Sequence, residues 1–173
     1  MIKMFPMQVP YFVAKLKAHD KIKSQLMYIL DRHKFTINDE DHAYISRSDW
    51  FVDPGQTREY WNVLYPHVAE HIKELMNSIG TTHYKFTNYW FNHYEKTNYL
   101  NWHRHETSGW SSVYYLKLSD KNQATLLKNP IDGSVFQPDV EEGDILTFPG
   151  IIYHSSPALV SEQPKTIIAF NVS

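Results

Sequence analysis

The chain of 173 residues contains no cysteine. That excludes disulfides, thiolate catalysis and Cys-built zinc or iron–sulfur sites, so a transition-metal site must draw on histidine and carboxylate. Excess charge of either sign is lacking as well, with a formal net charge of −2 and a sequence pI near 6.5. So small an imbalance gives no global pull towards nucleic acid or an anionic membrane. The opening stretch MIKMFPMQVPYFVAKLK has no apolar run long enough for a signal peptide or a membrane span. The expectation is a soluble, cytoplasmic protein. There is no internal repeat, low-complexity tract or Pro/Gly/Ser-rich linker, so no boundary is drawn and 1–173 reads as one domain.

What is present changes character near residue 82. Before it, Ile22, Leu26, Ile29 and Leu30 recur as the stripe of an amphipathic helix, and Val68, Ile72, Leu75 and Met76 repeat the pattern. Gly80 is placed to end the second helix, and Pro66 fits its first turn, where a missing N–H costs nothing. Between them YISRSDWFVDPG reads as an extended stretch closing in a Pro-Gly turn. From residue 83 the runs HYKFTNYWFNHY, WSSVYYLKL, ATLL, DILTFPG, IIYHSSPAL and KTIIAFNV are short, aromatic and β-branched, with turn signals between them. The fold expected is α+β: residues 1–82 as helical support for a jelly roll, or double-stranded β-helix, over 83–173.

Seven of the ten histidines, His19, His33, His42, His67, His71, His83 and His93, lie in polar or helical contexts and read as solvated or capping imidazoles. His67 and His71 have the spacing of a helical metal pair, but Val68 stands where the HExxH pattern needs Glu. His103 and His105 differ, because residues i and i+2 of a strand share a face. His154 follows in GDILTFPGIIYHSSP, on a strand that can face the first across a barrel mouth. Three such ligands leave open positions on an octahedral ion, which iron needs to bind a chelating co-substrate and then dioxygen. The plainer reading is that these imidazoles satisfy hydrogen bonds at a strand edge. Spacing alone does not separate the two.

Four segments in order resemble the 2-oxoglutarate/Fe(II) oxygenase superfamily, and most closely a set of short bacterial and phage chains of that type. They are WFNHYEKTNYLNWHRH, SSVYYLK, VEEGDILTFPGIIYHSSPAL and KTIIAFNVS. The resemblance covers residues 83–173 and, more weakly, DWFVD and the helices before it. It implies an oxidoreductase with His103 as the first iron ligand and His154 as the distal one. The superfamily usually has Asp or Glu two residues after the first ligand, and here His105 stands there. His105 is the expected third ligand, since alternation puts Glu106, the other candidate, on the opposite face.

The resemblance further implies that Lys165 anchors the tail carboxylate of 2-oxoglutarate, with Tyr115 as a helper and Tyr94 and Asn92 on the opposite wall. Trp90, Trp102 and Trp110 would shape the mouth. The implied reaction is a hydroxylation or related oxidation of a prime substrate by Fe(II) and O2, with 2-oxoglutarate converted to succinate and CO2. The alternatives are a cupin-like three-His metalloenzyme working without 2-oxoglutarate and a non-catalytic jelly-roll module. The direction of the Lys165 ammonium, towards the metal site or towards solvent, discriminates between them. Neither the prime substrate nor the oligomeric state is legible.

Overall fold

A computed structural model describes residues 8–34, 36–39, 41–53 and 55–173. In chain order the elements are β1 (Phe12–Lys15), α1 (His19–Leu30), β2 (Ile37–Asp39), β3 (Ala43–Ile45), β4 (Arg47–Ser48) and α2 (Glu59–Ser78). There follow β5 (Phe86–Tyr94), β6 (Tyr99–His103), β7 (Trp110–Lys117), a 3₁₀ turn (Lys121–Gln123), β8 (Leu126–Lys128) and β9 (Val135–Phe136). The last are β10 (Asp144–Pro149), β11 (His154–Ser156) and β12 (Lys165–Val172). One sheet has the order β1-β10-β7-β12-β5-β4 and the other β2-β3-β6-β11-β8-β9, with every pairing antiparallel. From β5 onward the chain alternates between the sheets, apart from the β8–β9 hairpin within the second, which is the path of a double-stranded β-helix.

The strand sequences explain the layering. KTIIAFNV is buried at every position, so both faces of β12 are covered. Ile167 turns between the sheets beside Tyr115, Val113, Leu146 and Phe148. Ile168 and Phe170 turn the other way, onto a second cluster with Tyr114, Leu116 and the apolar stripes of α1 and α2. Period-two alternation thus feeds two cores, one inside the roll and one under the helices. Filling both with aromatic and β-branched side chains is what made these runs read as continuous apolar strands.

Helix α2 begins well before the expected start, because Tyr60, Trp61 and Leu64 extend the buried stripe backwards. Pro66 therefore lies inside the helix rather than in its first turn. It is tolerated because Pro66 and Asn62, whose carbonyl loses its partner, both lie on the exposed face, within reach of water. At the other end Gly80 takes φ +79°, the left-handed conformation that a Cβ disfavours. Its N–H donates to the Asn77 carbonyl and the Thr81 N–H to that of Met76, closing the helix as a Schellman motif.

Residues before 83 do more than support. Strand β1 pairs with β10 in the first sheet, and β2 and β3 extend the second beyond β6. The stretch YISRSDWFVDPG divides between β3, β4 and a turn in which Asp53 accepts from the Gly55 N–H. Pro54, and with it that part of the expected turn, lies outside the described residues, as does the start of the opening stretch, residues 1–7. Among the described residues no helix is long and apolar enough to cross a membrane.

Candidate metal centre

Strands β6 and β11 are hydrogen-bonded neighbours with His103 directly opposite His154. The two thus sit side by side in one sheet rather than facing each other across the mouth. A cross-strand pair brings Cβ atoms within about 5.5 Å, and the rings lie 4.1 Å apart. His105 follows just after β6, its ring 5.3 Å from that of His103 and 5.2 Å from that of His154. One nitrogen from each imidazole falls within 4.8 Å of the others, a span that one metal ion can bridge. Glu106 points away: it is exposed and ion-paired with Arg104.

Local backbone contacts fix this geometry. The His105 N–H donates to the Gly150 carbonyl at 2.8 Å, and the Gly150 N–H to that of Gly109. A Cβ on Gly150 would fall 2.3 Å from the Ser108 carbonyl oxygen, so only glycine lets the turn after His105 lie this close to the β10–β11 loop. The Nδ1–H of His103 donates to the Asn101 carbonyl at 2.9 Å, and that of His154 to the Ile152 carbonyl at 3.0 Å. Both rings therefore carry their free lone pair on Nε2, as a metal ligand requires. Burial holds all three below the usual imidazole range, His105 at about 4 and His154 well below its ordinary value, so they are neutral at pH 7. Trp90 and Trp50 pack against the outer side of His105, with ring centroids at 5.4 and 6.2 Å, and cross each other at 4.5 Å.

Lys165 opens β12, opposite Tyr94 of β5, and is 3 % exposed. Its ammonium turns inward. Nζ donates to the Gln123 carbonyl at 2.7 Å and to the Ser156 hydroxyl, and lies 4.5 Å from the centroid of the Tyr94 ring. Among the described residues it makes no ion pair. Burial alone pushes its pKa down to about 7. Ser156 follows His154 by two residues on β11, which ties the lysine to the triad through one strand.

The other expected residues divide. Asn92 accepts from the Ser48 hydroxyl at 2.8 Å and donates to the Tyr94 hydroxyl at 3.1 Å, and Tyr94 is hydrogen-bonded to Ser156. A buried polar chain thus runs Ser48–Asn92–Tyr94–Ser156–Lys165. Tyr115 is fully buried, but its hydroxyl accepts from the Thr125 N–H at 3.2 Å, and the hydroxyl bonded to Lys165 is that of Ser156. Trp110 packs on Phe12 and Trp102 lies over Lys128, so of the three expected tryptophans only Trp90 lines the cavities. His19 and His93, read as solvated or capping, are buried, bonded to Tyr114 and Thr166.

Two cavities meet at His103. The inner one, about 30 Å³, lies between the sheets beside His154, Tyr94, Ser156 and Ile167. The outer one, about 280 Å³, opens to solvent past Trp50 and Phe51. Trp90, Asn92, Leu100 and His103 line both. Sequence reasoning missed Ser156, Gln123 and Trp50. The HSS run carried a signal for Ser156, which shares a face with His154; Gln123 and Trp50 arrive only through tertiary structure.

No family model and no curated protein matches the sequence. Solved structures do match the fold. An oxidoreductase of the 2OG-Fe(II) oxygenase family from Burkholderia pseudomallei superposes with TM-score 0.73 at 11 % identity, over 94 % of this chain and 85 % of that one. AviO1 from Streptomyces viridochromogenes Tue57 gives 0.72 at 13 %, over 95 % and 90 %. A prolyl-4-hydroxylase from Pseudomonas putida gives 0.64 at 15 %, over 94 % and 92 %. The chain has the fold of the 2-oxoglutarate/Fe(II) oxygenases, with three histidines gathered where β6 and β11 meet.

Proposed function

We propose that the protein is a single-domain Fe(II)- and 2-oxoglutarate-dependent dioxygenase that hydroxylates or otherwise oxidises an organic substrate. His103, His105 and His154 would hold the ferrous ion, which with 2-oxoglutarate and O2 supplies the oxidising power and leaves succinate and CO2. Three neutral imidazoles satisfy a borderline metal while leaving other positions free. The carrying observation is the pairing of this triad with a buried, acid-free lysine bonded to Ser156, which lines the inner cavity together with His103 and His154.

A divalent ion on the triad and a buried ammonium behind Ser156 would favour a dianion with its charges at its two ends. From His154 to Ser156 is two residues of strand, about 7 Å, a length that a five-carbon diacid can bridge. Lys165 acts as a point charge rather than a planar fork, so it needs helper donors; Ser156 and Tyr94 are at hand. Seating the tail carboxylate exchanges the contact of Nζ with the Gln123 carbonyl for one with the ligand and opens the narrow inner cavity. Val113, Ile167 and Ala169 line its wall and keep water out.

The reading is tested anaerobically. Addition of 2-oxoglutarate to the Fe(II)-loaded protein should produce the visible metal-to-ligand charge-transfer band of the chelate, and admission of air should yield succinate. A protein that binds Fe(II) yet gives neither band nor succinate is a three-His metalloprotein of another kind.

A further inference from the structure

The outer cavity says what chemistry stands next to the metal site. Its walls come from five elements: Ile37 of β2, Ala43 and Ile45 of β3, Trp90 and Asn92 of β5, Leu100 of β6, and Trp50 and Phe51 from the loop before α2. Among the described residues no lysine or arginine lines it, and the carboxylate of Asp39, 3.2 Å from His42, stands in its wall. Phosphate and carboxylate recognition calls for cationic forks or convergent N–H donors. This surface offers an acid instead.

Aromatic rings dominate the side nearest the triad. Trp50 and Trp90 meet edge to face at 4.5 Å and both reach His105. Phe51 is 80 % exposed and Trp50 41 %, a costly display of apolar area beside a cleft. The segment does not display them through slackness. Asp49, 1 % exposed, is ion-paired with Arg58 at 2.9 Å, accepts from Tyr60 at 2.7 Å and from the Phe91 N–H at 2.8 Å. Arg58 in turn donates to the carbonyls of Tyr89, Asp49 and Val52. Both ends of the segment are therefore clamped to β5 and α2 while its two large rings face the cleft.

From this lining we infer that the prime substrate presents an uncharged, ring-sized apolar group to the metal site, seated between Trp50 and Leu100. Phosphate- or carboxylate-bearing groups are turned away. The inference rests on the oxygenase reading only for the word substrate; the cavity and its selectivity are a separate matter. A volume of about 280 Å³ has room for a fused ring.

The test uses the full chain, metal-free, labelled with ¹⁵N in its tryptophan indoles, and three probes sharing one ring: indole, tryptamine and indole-3-acetate. Indole should shift the Trp50 and Trp90 resonances saturably. Indole-3-acetate should bind at least tenfold more weakly, and tryptamine no more weakly than indole. Trp50→Ala should weaken indole binding about tenfold. Phe51→Lys, at an exposed position that leaves the fold intact, should reverse the preference between indole and its acetate. Equal binding of indole and indole-3-acetate, or indole binding that leaves Trp50 and Trp90 unmoved, overturns the proposal. Repeating the titration with Mn(II) separates the two readings: broadening of the bound indole signals places the ring beside the triad. Tryptophan shifts without broadening would keep the apolar site but deny it the role of a substrate pocket. Loss of the Fe(II) chelate band alone would sink the oxygenase reading and leave the site standing.

Discussion

The buried ammonium of Lys165 gives the co-substrate reading a pH signature. In the free protein its pKa lies at about 7 through burial. A carboxylate seated on Nζ should return it towards the ordinary lysine value of about 10.4. The difference is roughly 3.4 units, or about 4 to 5 kcal/mol at about 1.36 kcal/mol per unit. Below pH 7 the free protein already carries the charge, so the affinity for 2-oxoglutarate should be level. Above pH 7 the amine must take up a proton on binding, and Kd should rise about tenfold per pH unit until the bound-state pKa is reached. The triad does not confuse the profile, since its imidazoles are neutral throughout this range. Calorimetry on the Mn(II)-loaded protein at pH 8, in phosphate and in Tris, should find nearly one proton taken up per ligand. Lys165→Arg should flatten the profile, because guanidinium does not titrate there. Lys165→Ala should weaken binding at pH 7 by at least two orders of magnitude, given about 3–5 kcal/mol for removing one partner of a buried charge pair. Equal Kd values at pH 6.5 and 8.5 in the wild type, with no proton exchange, would refute the anchor.

Other expectations follow from the same geometry. His103→Ala and His154→Ala should each abolish stoichiometric Fe(II) binding with the fold intact, and His105→Ala should damage it far more than Glu106→Gln; calorimetric titration that found the reverse order would make the triad two histidines and a carboxylate. Asp49→Asn strands the Arg58 guanidinium, so urea unfolding should show a loss of about 3–5 kcal/mol, and a loss below about 1 kcal/mol would mean the clamp is slack. His93 has its pKa held down to about 4 by burial and then by the charge of Arg47. Against an unfolded value near 6.5, its contribution is present above pH 6.5 and lost as pH falls to 4, some 3 kcal/mol in all. His93→Gln should therefore shallow the fall in stability between pH 7 and pH 5, and an unchanged slope would remove His93 as its cause.

Much of the roll could be read in the chain because its central strands are covered on both faces, so KTIIAFNV and SSVYYLK are rich in β-branched and aromatic side chains and hard to mistake. The triad was legible for a related reason, since i and i+2 in an extended segment share a face whatever the sheet does. That His154 lies beside His103 rather than across from it depends on strand order, which local pattern does not encode. The short strands β1 and β2 escaped notice, and β3 and β4 read only as one extended stretch, because two to four residues carry too little periodicity, and their identity comes from the edges they pair with. Pro66 misled because a proline is an ordinary helix start; only the burial of Tyr60 and Trp61 moves the start upstream. Ser156, and not the expected Tyr115, bonds Lys165 because both lie within the interior and the choice between them rests on side-chain reach.

Asn92 stands in the wall between the two cavities and belongs to both. Attempts to reshape the outer cavity through that position would carry a hidden cost, since its amide supports Tyr94 and, through Ser156, the lysine proposed above as the co-substrate anchor. Trp50, Phe51 and Ile37 touch only the outer cavity. On the proposed function, a directed-evolution library confined to those three would explore substrate range while the polar chain beneath stays fixed, whereas one that includes Asn92 would trade one ligand against the other at every round.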